Sequence, residues 1–255
     1  MNMFDTFDTK YGKVTLYKND VYIRNSFING VYFDEDTLIK LKQFINPNKN
    51  IIEIGGHCGT SSLVYSSYLS DNNKVFVYEP QKNLFNLLVK NINDNNLQHK
   101  IIPYNKGVFC YEGQGHMNNI DLDGGFGIVE KRYNEESHLN CNFGGITLGQ
   151  LGESIELTTI DKMEHENIGF IHCDAQGSEN FIFSNSIELI TKNRPVILFE
   201  NNSEYGEYLY NSVCQNYPQY EKESKFNLKT YCQKNLKYRA CIDRFNNGLD
   251  TLLIP

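Results

Sequence analysis

The groups able to do chemistry in this sequence are one glycine cluster and a set of carboxylates that each follow a short apolar run. The cluster reads Glu53-Ile54-Gly55-Gly56-His57-Cys58-Gly59-Thr60-Ser61, directly after Ile51-Ile52. Glycines at a strand end let the backbone turn sharply and let a ligand approach where a Cβ would block it. Two phosphate-binding readings fail on spacing. The pattern G-x-G-x-x-G needs glycine two places after Gly55, where His57 stands, and G-x-x-x-x-G-K-[ST] needs a Gly-Lys pair that this segment lacks. The other acids come later. Glu79 follows Val75-Phe76-Val77-Tyr78, Asp174 follows Ile168 to Cys173, and Glu200 follows Pro195 to Phe199.

The spacing acid-x-Gly-x-x-x-Gly is that of the first motif of Rossmann-like methyltransferases, whose loop wraps the methionyl part of S-adenosylmethionine. Gly55, Gly56, His57 and Gly59 would form that loop. Glu53 would offset the positive charge of the cofactor's ammonium or sulfonium, directly or through water. Glu79, at the end of the second strand, can accept both ribose hydroxyls; the alternative is an acid favoured by the dipole of the following helix. Asn105, just past Ile101-Ile102-Pro103-Tyr104, stands where an adenine contact would fall and is equally suited to a turn.

Strand alternation puts His172 and Asp174 on one side and Cys173 on the other, so these three cannot converge on one ion. No metal site is expected. Methyl transfer from a sulfonium is an in-line displacement, and an alcohol nucleophile loses a proton on the way. Asp174 can take that proton or orient the acceptor, or it can cap the next helix. Glu200, on the same edge, is a second catalytic candidate.

These side chains need a scaffold that brings strand ends together. Val14 and Leu16, then Val21 to Ile23, read as an N-terminal hairpin turning at Lys18-Asn19-Asp20. A helix from about Asp34 carries Leu38, Leu41, Phe44 and Ile45 on one stripe and stops before Pro47. Strands at Ile51–Ile54, Lys74–Tyr78, Ile101–Tyr104, Ile168–Cys173 and Pro195–Phe199 alternate with helices at Thr60–Tyr68, Gln81–Asn93 and about Ser178–Thr191. Short apolar strands between amphipathic helices signal a parallel sheet covered on both faces. Tyr238–Ile242 and Thr251–Ile254, around Asn246-Asn247-Gly248, read as a closing hairpin. The expectation is one domain over 1–255: a hairpin and helix over 1–48, then a Rossmann-like core with a glycine-dotted, loop-rich insertion at about 108–154.

With 24 Lys+Arg against 31 Asp+Glu, the formal net charge of -7 argues against a broad nucleic-acid surface. Lys222, Lys225, Lys229, Lys234, Lys237 and Arg239 gather late in the chain, but Glu221 and Glu223 interrupt the run. Seven cysteines without a C-x-x-C pair suit free thiols in a reducing compartment. No leader or membrane span is legible, so a cytoplasmic protein is expected.

In its motifs the chain resembles the FkbM-type methyltransferases from about Gly30 onward. They appear in order as Glu53 to Gly59, Tyr78-Glu79-Pro80, Thr159-Ile160-Asp161, His172 to Glu179, and Arg194-Pro195 through Glu200. Two positions depart from that family: His57 stands where Asn is usual and His172 where Lys is usual. The resemblance implies a class I methyltransferase fold with a mostly parallel seven-stranded sheet and a C-terminal antiparallel hairpin. It also implies S-adenosylmethionine as cofactor and O-methylation of a sugar, glycan or small-metabolite hydroxyl. The other readings are an RNA ribose methyltransferase and an inactive cofactor-binding protein. Methylation of adenine or glutamine amino groups is disfavoured, because Asp174-Ala175-Gln176-Gly177 replaces the Asp/Asn-Pro-Pro-aromatic run that such enzymes often carry.

Overall fold

The computed structural model describes residues 3–122, 140–201, 204–245 and 250–255, without the side chains of 204 and 205. A hairpin of β1 (Phe4–Thr9) and β2 (Gly12–Tyr17) leads to α1 (Ile23–Ile28) and α2 (Glu35–Leu41). Next come β3 (Asn50–Ile54), α3 (Thr60–Tyr68), β4 (Val75–Tyr78), α4 (Lys82–Asp94) and β5 (Ile101–Tyr104). Four short strands follow: β6 (Gly107–Val108), β7 (Gly113–Met117), β8 (Leu148–Gly149) and β9 (Ser154–Thr158). The chain returns through β10 (Ile168–Cys173), α5 (Glu179–Ser184), α6 (Ile187–Asn193) and β11 (Val196–Glu200). It closes with α7 (Glu204–Asn216), α8 (Glu221–Ser224), α9 (Leu228–Asn235), β12 (Ala240–Ile242) and β13 (Asp250–Ile254).

Seven described strands form the central sheet, in the order β12-β13-β11-β10-β3-β4-β5. The five from β11 to β5 are parallel, and β13 runs antiparallel to both β11 and β12. The first strand of this sheet lies in its middle, and the order reverses between β3 and β10. A crevice opens outside the strand ends at such a switch point. With its inserted antiparallel last strand, this is the Rossmann-like class I methyltransferase fold.

The strand sequences explain why both faces are covered. Ile51, Val75, Val77, Phe170, Leu198 and Leu252 belong to one buried core with Leu63, Tyr65 and Leu88 of α3 and α4. Ile52, Ile54, Ile171, Ile197, Phe199 and Leu253 belong to the other, with Ile182, Ile190 and Cys232 of α5, α6 and α9. Period-two alternation sends neighbours to opposite faces, so a strand covered on both sides is mostly apolar along its length.

Three local expectations are corrected. The N-terminal hairpin turns at Lys10-Tyr11, with Thr9 facing Gly12, so its first strand is Phe4–Thr9. Val21 to Ile23 is not a strand: Asp20 Oδ1 accepts the Tyr22 and Ile23 N–H groups at 3.0 and 2.9 Å and starts α1 there. The expected helix at Ser178–Thr191 breaks into α5 and α6. Ser184 and Ser186 turn their hydroxyls back onto the carbonyls of Phe181 and Phe183, the local competition that ends a helix. The insertion is also more ordered than a run of loops, since β6 to β9 form a small sheet in the order β6-β9-β7-β8. Gly124, Gly125, Gly127 and the Asn246-Asn247-Gly248 turn lie outside the described residues.

Among the contacts that fasten the N-terminal extension to the rest of the chain are two sets of hydrogen bonds. Asn91 of α4 is fully buried; its Oδ1 accepts Thr15 N–H at 2.8 Å, and its Nδ2 donates to the Thr15 and Cys58 carbonyls at 3.0 and 2.8 Å. Val21 N–H donates to Cys141 O at 3.0 Å and Cys141 N–H to Asn19 O at 2.9 Å.

Candidate active site

At the β3 end the backbone does what its glycines permit. Gly55 and Gly59 have φ of +86° and +89°, and an added Cβ on Gly55 would lie 1.9 Å from the Asp174 carbonyl oxygen. On Gly56 it would meet Val77 Cγ1 at 2.1 Å. The loop therefore sits flush between β4 and the Asp174 corner, with its N–H groups at the foot of α3. His57 also takes a left-handed φ, +48°, which a side chain bears only under constraint.

Glu79 supplies part of that constraint. It is 3% exposed; its Oε2 accepts the His57 N–H and its Oε1 the Gln81 N–H, both at 2.8 Å. Burial raises its carboxyl to about 8 against the opposing pull of those two bonds. Each oxygen keeps a lone pair for a further donor. Asn105 donates to the Glu79 and Pro80 carbonyls at 2.9 and 3.0 Å and so braces this corner.

Glu53 is placed differently. Its carboxylate is 2% exposed, accepts from Ser62 Oγ, and is raised to about 8 chiefly by burial. It lies beneath the loop and is not among the residues lining the cavities described next. His172, its neighbour across the β3–β10 register, contacts Tyr65 Oη through Nδ1 at 3.1 Å, and burial lowers its imidazole to about 4.

Two adjoining cavities open at the switch point. The narrow one, about 60 Å³, runs between Tyr78, Glu79, Pro80 and apolar Val108, Met117, Ile146 and Leu148. The wider one, about 420 Å³, is bounded by Tyr22, Ile23, Phe33, His57, Asn142 and Glu200. Gly55, Glu79, Gln81, Gly144, Asp174 and Gln176 line both. The wider volume falls in the range of small-molecule sites. Asp174 Oδ1 accepts from Gln176 Nε2 at 2.7 Å, and the corner below is held by Glu179, which accepts the Ala175 N–H at 2.8 Å.

Two buried polar side chains in these walls have no hydrogen-bond partner among the described residues: Ser178 Oγ in the narrow cavity and both ring nitrogens of His57 in the wider one. Asp20 Oδ2 lies 3.7 Å from the ring Nε2 of His57, beyond hydrogen-bond reach. Unsatisfied buried donors and acceptors in a cavity wall are groups that a ligand satisfies.

Of the sequence candidates, Gly55, His57, Glu79, Asp174 and Glu200 line the cavities, Gly56 and Gly59 shape the loop, and Glu53 and Asn105 support it from behind. The sequence reading missed Tyr22, Phe33, Gln81, Asn142, Gly144 and Ser178. Only Gln81 carried a signal, its place beside Glu79-Pro80. Among the described residues no group of His, Cys, Asp and Glu is arranged to hold a metal ion, no disulfide joins the seven cysteines, and no helix is long and apolar enough to cross a membrane.

No protein-family model matches the chain, and no curated protein matches it by sequence. Solved structures resemble it at low identity. A methyltransferase FkbM from Methylobacillus flagellatus aligns at 12% identity over 82% of this chain and 44% of its own, with a TM-score of 0.48. The chain thus spans less than half the length of that protein. An O-methyltransferase from Bacillus cereus, crystallised with SAH, aligns at 16% identity over 94% of this chain and 84% of its own, with a TM-score of 0.47. A SAM-dependent O-methyltransferase from Thermotoga maritima aligns at 10% identity over 83% and 61%, with a TM-score of 0.41.

Proposed function

We propose that this chain is an S-adenosylmethionine-dependent O-methyltransferase of the FkbM type, working as one cytoplasmic domain on a hydroxyl of a sugar, glycan or small metabolite. The observation that carries the reading is the corner where Glu79 grips the glycine loop through His57 N–H and still faces both cavities. A loop that a Cβ would close and an orphaned Ser178 hydroxyl both fit a nucleoside cofactor. When bound, S-adenosylmethionine supplies an electrophilic methyl on a sulfonium.

The chain's own residues then divide the work. Gly55, Gly56 and Gly59 let backbone approach the methionyl part, and Glu79 accepts the ribose hydroxyls. Val108, Met117, Ile146 and Leu148 give the base an apolar slot, with Ser178 as its polar contact. Glu53, buried beneath the loop and accepting from Ser62, supports it from behind, and Asn105 fixes the Glu79 corner. Asp174 faces the wider cavity and takes the acceptor's proton or orients its oxygen, and Glu200 holds the acceptor from the neighbouring strand end.

Calorimetric titration with S-adenosylmethionine, repeated with Glu79→Ala, tests this. Micromolar binding weakened at least tenfold, about 1.4 kcal/mol, supports the reading; absence of binding by the unaltered protein removes it. An inactive cofactor-binding protein would bind equally well but transfer no methyl group to any hydroxylated acceptor.

A further inference from the structure

The glycine loop carries a side chain whose polar atoms the fold leaves unmet. His57 is 9% exposed and lines the wider cavity, and neither ring nitrogen has a hydrogen-bond partner among the described residues. Its backbone is committed: the N–H is held by Glu79, at a φ of +48°. A buried ring with both nitrogens unmet is costly until a ligand completes it.

Asp20 decides which nitrogen a ligand meets. Its Oδ1 accepts the Tyr22 and Ile23 N–H groups, while its Oδ2 lies 3.7 Å from Nε2 of His57. A carboxylate on that side favours the tautomer with the proton on Nε2, which leaves Nδ1 as an acceptor. Burial lowers the imidazole from its ordinary value against the opposing pull of Asp20, so the ring is neutral at neutral pH. A neutral ring backed by a carboxylate presents a lone pair in a field of negative charge. Such a pair suits a donor that is itself a cation.

The order of the walls says which cation. Of the two cavities, the apolar slot of Val108, Met117, Ile146 and Leu148 belongs to the narrow one, Glu79 lines both, and His57 lines the wider. A ligand with its base in the slot and its ribose at Glu79 therefore extends its remaining end toward His57. On the methyl-transfer reading, on which this step rests, that end is an amino acid with an ammonium. Glu53, the acid expected to meet that charge, lies beneath the loop on Ser62 and lines neither cavity. Asp174 does line the wider cavity, but it already accepts from Gln176 at 2.7 Å.

We propose that His57, with Asp20 behind it, is the seat of the cofactor's ammonium. Nδ1 accepts one ammonium N–H, and Asp20 supplies the negative charge that the sequence pattern assigned to Glu53.

The test titrates the full chain with two ligands that differ only in the amine: S-adenosylhomocysteine and its deamino analogue, in which hydrogen replaces the amino group. The unaltered chain should bind S-adenosylhomocysteine at least tenfold more tightly. His57→Gly removes the ring at a φ that glycine adopts freely; it should weaken S-adenosylhomocysteine at least tenfold and the deamino analogue less than twofold. Asp20→Asn keeps an oxygen for the Tyr22 and Ile23 N–H groups and should weaken S-adenosylhomocysteine at least threefold, again sparing the analogue. Equal binding of the two ligands by the unaltered chain overturns the assignment. So does a loss in both variants that falls equally on the two ligands, which would give the ring a purely structural role. A preference that survives His57→Gly and vanishes in Glu200→Gln also overturns it, by moving the ammonium to that acid. Failure of the unaltered chain to bind either ligand would instead overturn the methyl-transfer reading itself, and this assignment with it.

Discussion

The backbone N–H of His57 donates to Glu79 Oε2 at 2.8 Å, so the residue proposed to bind ribose also sets the conformation of the loop proposed to bind the methionyl group. The two functions cannot be mutated apart. Glu79→Gln should lower cofactor affinity tenfold or more and also lower the unfolding temperature, because an amide cannot accept both the His57 and Gln81 N–H groups through two carboxylate oxygens. Calorimetry and thermal unfolding of the same sample check both halves.

Affinity should also depend on pH. Burial raises Glu79 to about 8, and accepting ribose hydroxyls favours the ionised carboxylate. Binding therefore releases a proton and tightens as pH rises from 6 toward 8, by at most about tenfold per unit. A flat profile, or one of opposite slope, would contradict a ribose role for this carboxylate.

Glu53 gives a stability prediction with a definite sign. Its native carboxyl titrates near 8, against an ordinary value of 4.5. The native state holds the proton that the unfolded chain has lost, so this group's contribution is full below about pH 4.5 and is lost as pH rises through 8. Glu53→Gln should flatten the fall in stability between pH 5 and 8, read as denaturant midpoints at several pH values.

Gly55→Ala should be among the most damaging substitutions. Its φ is +86° and the new methyl would lie 1.9 Å from the Asp174 carbonyl oxygen, which is backbone and cannot swing away. A loss of roughly 2 kcal/mol or more is expected in chemical denaturation, with cofactor binding abolished.

Asp174→Asn separates chemistry from binding. Methyl transfer should fall about 100-fold or more, the usual weight of a general base, while cofactor affinity stays within threefold. Equal loss of both would show that Asp174 serves only to hold the cofactor.

The core of the fold was legible because its strands are apolar at most positions on both faces. Ile51 to Ile54, Val75 to Tyr78 and Ile168 to Cys173 can be buried on two faces in no simpler way, and the acids at their ends mark the carboxyl edge. What was not legible depended on single side chains overriding a pattern. Val21-Tyr22-Ile23 has strand composition, yet Asp20 begins a helix there, and that shift brings Tyr22 and Ile23 to the cavity. Two serines divide the helix after Asp174 at a point its apolar periodicity runs straight through. Asn142 gave no sequence signal, and Gly144 only that of one glycine among several in the insertion; their place in the wall follows from long-range pairing of Cys141 with Asn19 and Val21.

The fastening of the N-terminal extension couples the cavity wall to the glycine loop. Tyr22, Ile23 and Phe33 come from a stretch of chain outside β3 and β4, and Asn91 bridges that stretch to the glycine loop through the main-chain carbonyls of Thr15 and Cys58, as Tyr32 does by donating to the Thr60 carbonyl. Moving that stretch would therefore move one wall of the wider cavity and the foot of the glycine loop together, so neither can be reshaped alone.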